Sequence, residues 1–352
     1  MKLIYILILF GFISIKNYSQ IHNNTNKKIN NHHAKNETIY YRNGILNYKL
    51  KKYDDAIKDF SKAIEINSKM YNYFYLRGSC YLENRKIKKA ISDFNIAIKL
   101  NPNNTNTYSK LGYAYYQLND TINSSFNYNK SLDIDPNNSN TYYYQSLDFQ
   151  LSMQKPEIKE ELLTKAIDYA NSIEFHSDFE NISNAYFERG IVRLNILSKL
   201  ILKNLHNNSF NEKKYLMDII LDFTNAIKND LKFSDAYYQR GLLKKNKLLN
   251  DTIGAYEDFD KAIEFNPSNG NAYIERGYLK LNVYNDRNGS INDLIKSTKL
   301  ETDFLHPKEI TYTAIGIGLI ELGRKVEGCK YLSKAGELGY EEAFNYINTY
   351  CN

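Results

Sequence analysis

Small and aromatic residues recur along this chain on a single beat. Gly44, Gly78 and Gly112 lie 34 residues apart, and Ala56, Phe60 and Ala63 return 34 residues later as Ala90, Phe94 and Ala97. Residues spaced three and four apart share one face of a helix, so each trio marks a buried helical stripe. Between the marks the polar and apolar positions read as two helices, YYRNGILNYKL and YDDAIKDFSKAIEI, joined by a short turn. The pattern predicts an all-α chain built from helix-turn-helix units.

Aligning on the glycine extends the series. The marks are an aromatic four residues before the glycine, then a small residue, an aromatic and a second small residue 12, 16 and 19 after it, with proline often at 24. Tyr40, Gly44, Ala56, Phe60 and Ala63 open the series, followed by Phe74, Gly78, Ala90, Phe94, Ala97 and Pro102. The third unit keeps Tyr108, Gly112, Tyr128 and Pro136 but places Ser124 and Ser131 at the small positions. In the fourth, Ser146 stands for the glycine after Tyr142, and a second helix near Glu157 to Tyr169 is out of register. Order returns with Tyr186 and Gly190, whose second helix, carrying Phe223 and Ala226, is displaced by a 17-residue insertion. Tyr237, Gly241, Phe259 and Ala262, then Tyr273, Gly277, Leu294 and Ser297, then Tyr312, Gly316, Gly328, Leu332 and Ala335 complete the series. Glycine and the small residues belong where two helices cross closely, and the aromatics fill the gap between successive units. The prolines agree with this register: Pro102, Pro136 and Pro267 follow second helices, while Pro156 and Pro307 begin new ones, where a missing N–H is tolerated.

A helix-turn-helix period of 34 residues with these marks resembles the tetratricopeptide repeat. The resemblance covers Glu37 to Asn352 and implies a right-handed superhelical solenoid of about eight repeats with a C-terminal capping helix. Repeats 1–3 span 37–138, a degenerate repeat 4 spans 139–182, repeats 5–8 span 183–340 with an insertion near 198–215, and the cap spans 341–352. Within the insertion LSKLILKNL is expected to lengthen the preceding helix and HNNSFNEKK to form an exposed loop; the insertion is read either as a partner contact or as neutral. The closing segment also looks like the last repeat and cap of exported bacterial members of the family.

Composition adds less. The formal charge of +6 comes from 46 basic and 40 acidic residues interleaved along the helices, which describes a solvated surface rather than a nucleic-acid stripe. The N-terminus stands apart. Leu3 to Ile15 is almost wholly apolar and rises only about 20 Å as a helix, short of a ~30 Å bilayer core. It is expected to be a signal peptide (1–19) cut near Ser19, followed by a polar flexible leader (20–36), with an uncleaved anchor as the alternative. The chain is thus expected in the periplasm or at the cell surface of a bacterium, with no stable membrane span once the signal is removed.

Two sets of residues compete as binding sites. Arg77, Arg189, Arg240 and Arg276 share one repeat position, and a ladder of arginines is suited to a phosphate or carboxylate. Each of these units also carries an acid one residue before its second aromatic mark: Asp93, Asp222, Asp258 and Asp293. Units lacking the Arg lack the Asp, apart from the first, which keeps Asp59 opposite Asn43 with Arg42 adjacent. Structural ion pairs joining the two helices of a unit are therefore favoured over a ligand site. The family resemblance implies that ligands lie along the inner surface formed by the first helices. The residue after the recurrent aromatic is expected to face that groove, giving Tyr41, Tyr75, Tyr143, Phe187 and Tyr238, and three residues earlier on the same face lie Asn72, Asn106, Asn140 and Asn271. Tyrosines and amides suit an extended peptide. Tyr41 and Ile45 occupy positions where family members that bind acidic tails carry polar clamp residues, so that specificity is not expected.

Cys80 reads as a small core residue, while Cys329 and Cys351 flank the Gly339 turn so that antiparallel helices bring them close, either as a disulfide or as two thiols. The histidines, including His32 and His33 in the leader, form no metal motif, and no nucleophile elbow or phosphate loop is present. No cofactor, metal or catalytic residue is expected. The reading is a non-enzymatic scaffold for a peptide or protein segment, with carbohydrate or cell-wall-polymer binding, or a non-catalytic subunit of an envelope complex, as alternatives.

Overall fold

Alternation of amphipathic stripes and turn residues gives the chain its elements, and the computed structural model describes residues 36–147, 155–172, 181–203, 211–300 and 307–351. The apolar N-terminal stretch, the leader and all six histidines lie outside the described residues. Those described form seventeen helices and no strand. The chain divides into two units at Phe149 and Gln150, inside the stretch assigned to repeat 4.

The first unit holds α1 (36–49), α2 (Tyr53–Ile66), α3 (Tyr71–Glu83), α4 (Ile87–Leu100), α5 (Thr105–Gln117), α6 (Thr121–Ile134) and α7 (Ser139–Ser146). The second begins with α8 (Pro156–Ser172), α9 (Ile182–Lys203), α10 (Glu212–Asn229), α11 (Ser234–Lys244) and α12 (Thr252–Phe265). It continues with α13 (Gly270–Asn282), α14 (Arg287–Thr298), α15 (Lys308–Glu321), α16 (Lys325–Glu337) and α17 (Glu341–Tyr350). Within each unit consecutive helices pack antiparallel in pairs, and each pair packs on the next. The fold is an all-α helical-repeat solenoid.

Helix starts and stops follow local chemistry. The side chains of Asn104, Asp120, Asn138, Asn211, Asp251, Asn269 and Asp286 each accept a hydrogen bond from the backbone N–H three residues on, satisfying a donor the helix leaves free. Six turns between the helices of a pair contain a left-handed residue, at Lys51, Arg85, Asn119, Asn250, Asn285 and Gly323. Asn and Gly adopt this conformation readily; Lys51 and Arg85 hold it with ordinary side chains.

One knob and one glycine close each pair. Phe60, Phe94, Phe223 and Phe259 are fully buried, each over the glycine of its partner helix. A Cβ added at Gly44 would lie 2.6 Å from the Phe60 ring, and one at Gly78 2.8 Å from the Phe94 ring, so the crossing requires glycine. Cys80 is fully buried beside Ala56 and Phe60, where burial pushes its thiol up to about 12.

In the fifth repeat α9 runs through to Lys203, so the first half of the insertion lengthens the helix. The expected loop is shorter than read from sequence: 212–214 form the first turn of α10, because Asn211 caps that helix. Residues 204–210 lie outside the described residues. At the C-terminus α17 packs on α16 and α15 through buried Ala343, and a Cys329–Cys351 disulfide ties its end to α16. No described helix is long and apolar enough to cross a membrane.

Candidate functional site

The arginines lie on the first helix of a pair, and each reaches across to the second. Arg77 donates from Nε and Nη2 to the two carboxylate oxygens of Asp93, both at 2.8 Å. Arg240 meets Asp258 and Arg276 meets Asp293 in the same forked way, while Arg189 donates from Nε and Nη2 to one oxygen of Asp222 at 3.1 and 2.7 Å, with Nε 3.3 Å from the other oxygen. A third donor in every case turns to the second helix of the preceding pair: Nη1 reaches Ser61 at 3.1 Å from Arg77, Thr164 at 3.3 Å from Arg189, Thr224 at 3.1 Å from Arg240 and Asp260 at 2.6 Å from Arg276. Each guanidinium therefore bridges three helices. Burial works against the charge of Arg77, Arg193 and Arg276, yet the carboxylates beside them outweigh it and raise the guanidinium pKa.

The second unit adds another cation to each acid. Arg193 joins Arg189 on Asp222, Lys244 joins Arg240 on Asp258, and Lys280 joins Arg276 on Asp293. In the first pair, where no Arg is available at this position, Asn47 donates to Asp59 at 2.9 Å and Arg42 stays exposed. The forks engage these guanidiniums with partners inside the protein.

The aromatic column behaves differently from its expected role. Tyr41, Tyr75, Phe187 and Tyr238 each rest against the knob of their own pair, with ring centroids 6.3 Å from Phe60, 6.3 Å from Phe94, 5.7 Å from Phe223 and 6.0 Å from Phe259. The position is shared between packing and surface. Tyr143 is only 7% exposed, with its ring edge-on to Tyr144. Asn140 is also buried and donates to Asn106 at 2.9 Å. Asn72, half-buried, donates to the Tyr41 hydroxyl at 3.2 Å, so in the first unit the amides are linked to their neighbours.

The second unit assembles a site from the same columns. Phe187 on α9, Tyr238 on α11 and Asn271 on α13 line one open cavity of about 390 Å³. Asp235 and Gln239, one helical turn apart on α11, complete its wall together with the amides of the turn before α13. Tyr238 is only 6% exposed, and its hydroxyl is one of four buried polar side-chain atoms without a hydrogen-bond partner among the described residues. Burial, and then the Glu275 carboxylate, hold that phenol well above its ordinary pKa, so it keeps its proton. A larger cavity of about 640 Å³ between α3 and α5 contains none of the residues singled out from the sequence. No cluster able to hold a metal ion occurs among the described residues.

Asp235 and Gln239 were missed in the sequence, although the register contained the signal. Asp235 lies six residues before Gly241, the place Asn72, Asn106 and Asn271 hold in their repeats; a search for asparagine passed over the acid in the same column.

This architecture, paired antiparallel helices joined by glycine–aromatic crossings, defines a helical-repeat solenoid. Models of the tetratricopeptide repeat match residues 38–70 and 105–138, and a TPR repeat model matches 78–119. The chain is a tetratricopeptide-repeat protein. A comparison with curated protein sequences finds no significant match. Among solved structures it is similar to the human IFIT1 dimer with m7Gppp-AAAA, at TM-score 0.51 and 14% identity over 82% of this chain and 68% of that one. It is also similar to Pseudomonas aeruginosa pilF, at TM-score 0.50 and 14% identity over 67% of this chain and 93% of that one. At these identities the likeness is one of fold.

Proposed function

We propose that this protein is a non-catalytic scaffold that holds an extended segment of a partner protein along the first helices of its repeats. The observation that carries the reading is the cavity of the second unit, where three consecutive first helices contribute an aromatic, a phenol and an amide to one opening. Amides pair with exposed peptide groups, and rigid aromatics supply contact area at low entropic cost. The nucleotide seen with IFIT1 does not transfer readily, because this wall carries a carboxylate and no cation, which disfavours phosphate. An oxidising compartment outside the cytoplasm is part of the proposal, supported by the apolar N-terminal stretch and by the Cys329–Cys351 bridge.

Photo-crosslinking in the native cell tests it. A benzophenone amino acid at Gln239 is expected to capture one protein, and the same group at exposed Met217 or Ile253 on second helices is not. Phe187→Ala should abolish the Gln239 adduct. Capture from the second-helix positions alone would place the partner elsewhere and end the groove model.

A further inference from the structure

The cavity of the second unit has a carboxylate where five other repeats of its column have an amide, the first and eighth repeats carrying Thr38 and Ile310 there. At the register six residues before the repeat glycine, Asn72, Asn106, Asn184 and Asn271 carry amides, as does Asn140 at the matching place in the degenerate repeat, whereas α11 carries Asp235. The change from amide to carboxylate keeps the shape and adds a charge. It falls at the opening lined by Phe187, Tyr238, Gln239 and Asn271.

Asp235 is exposed, in the first turn of α11, and its charge has no ion-pair partner among the described residues. Asp235 makes no side-chain hydrogen bond or ion pair to a described residue, and no lysine or arginine lines the cavity. Along and just past α11 the cations are occupied, Arg240 by Asp258 and Thr224, Lys244 by Asp258, and Lys245 by the buried carboxylate of Glu275, while exposed Lys232, three residues before Asp235, is not part of the cavity lining. Glu188 and Glu275, also on first helices of this unit, are neutralised by Lys159 and Lys245. Tyr238, which lines the same cavity, carries a buried hydroxyl without a hydrogen-bond partner among the described residues. A volume of about 390 Å³ stands at the small end of ligand sites, enough for one long side chain and its water.

Building on the groove reading, we propose that this cavity selects a lysine or arginine side chain of the bound segment, with Asp235 as its counter-charge. Phe187 offers the stem of that side chain an apolar face, and Gln239 and Asn271 offer amides to the adjoining peptide groups. The specificity is opposite in sign to recognition of an acidic tail.

The test is a selection followed by a double-mutant cycle. Phage-displayed random dodecapeptides are panned on the immobilised chain, and enriched peptides are measured by fluorescence anisotropy. The expected result is a peptide family with a basic residue at one fixed place, whose binding is lost in Phe187→Ala. Changing that residue to Gln should weaken binding roughly fivefold, the size of a partly exposed ion pair. Asp235→Asn should weaken the parent peptide by the same factor, and the Gln peptide should bind the variant no worse than it binds the wild type. Because Asp235→Asn restores the residue found elsewhere in the column, its thermal midpoint should match that of the wild type, which separates charge from folding. Peptides that need Phe187 but have no basic place, or a lysine whose removal costs as much on Asp235→Asn as on wild type, would overturn the charge assignment and leave the groove reading standing. Peptides indifferent to Phe187, or retention only of purified cell-wall polysaccharide, would overturn both.

Discussion

At the residue scale the Arg–Asp forks have the clearest energetic consequence. Removing one partner of an enclosed ion pair strands the other charge and costs about 3–5 kcal/mol, whereas replacing both by apolar groups costs far less. Asp222, on which Arg189 and Arg193 both lean, is more open to this effect than Asp93, which Arg77 alone meets. Asp222→Asn is therefore expected to lower the urea midpoint of the second unit more than Asp93→Asn lowers that of the first, where Arg77 alone is left. Arg77→Met combined with Asp93→Leu should recover most of the loss caused by Asp93→Leu alone, since Arg77 is the cation paired with that acid. Circular dichroism during urea titration reads both comparisons, and equal losses at Asp222 and Asp93 would contradict the two-cation account. The co-occurrence of Arg and Asp was legible in the sequence because both ends of the fork belong to one repeat. The third donor, to Ser61, Thr164, Thr224 or Asp260, was not, since it crosses to the preceding repeat.

At the scale of the element, the crossing of two helices is set by what faces the glycine. A Cβ at Gly78 would meet the Phe94 ring at 2.8 Å, whereas one at Gly277 would meet Ser290 backbone oxygen at 3.3 Å and Leu294 at 3.4 Å. Overpacking of a filled core costs about 1–3 kcal/mol, and alanine gains up to about 1 kcal/mol over glycine within a helix. Gly78→Ala should therefore destabilise the first unit, while Gly277→Ala should be close to neutral. Adding Phe94→Leu to Gly78→Ala places the leucine of the seventh repeat opposite the new methyl and should relieve the clash, though it forfeits part of the Phe94 burial. Thermal midpoints of the three variants check this, and a neutral Gly78→Ala would show that the pair can spread without cost. The aromatic column belongs to the same scale. Sequence register puts Tyr143 and Tyr238 on the face of Tyr41 and Tyr75, but how far each ring sinks depends on neighbouring helices, and both are enclosed.

At the scale of the whole molecule, a repeat array is held by neighbour contacts and loosens first at its ends. The Cys329–Cys351 bridge counters this at the C-terminus by closing a 22-residue separation around the α16–α17 turn. A loop of that size stabilises the cross-linked part by about 3 kcal/mol in the chain-entropy picture. Cys351→Ser should raise hydrogen exchange across 341–351 and leave α9 to α12 unchanged. The third cysteine, Cys80, is buried with its thiol pushed up to about 12, so Ellman's reagent at pH 8 should find no reactive thiol until the folded chain is denatured. Reactive thiols in the folded, unreduced chain would contradict the bridge.

What the sequence determined by itself is whatever repeats: the 34-residue period, the glycine and its knob, the proline placement and the partners of each arginine within a unit. These are local, because both ends of each interaction return in every repeat and leave a pattern in one dimension. Tertiary structure decided the rest. It divided the chain inside the degenerate repeat, buried Asn140 and Tyr143, and gathered Phe187, Asp235, Tyr238 and Asn271 around one opening. The reason is that exposure is set by side chains of different repeats, whose approach depends on how helix pairs stack, and no spacing along the chain records that distance.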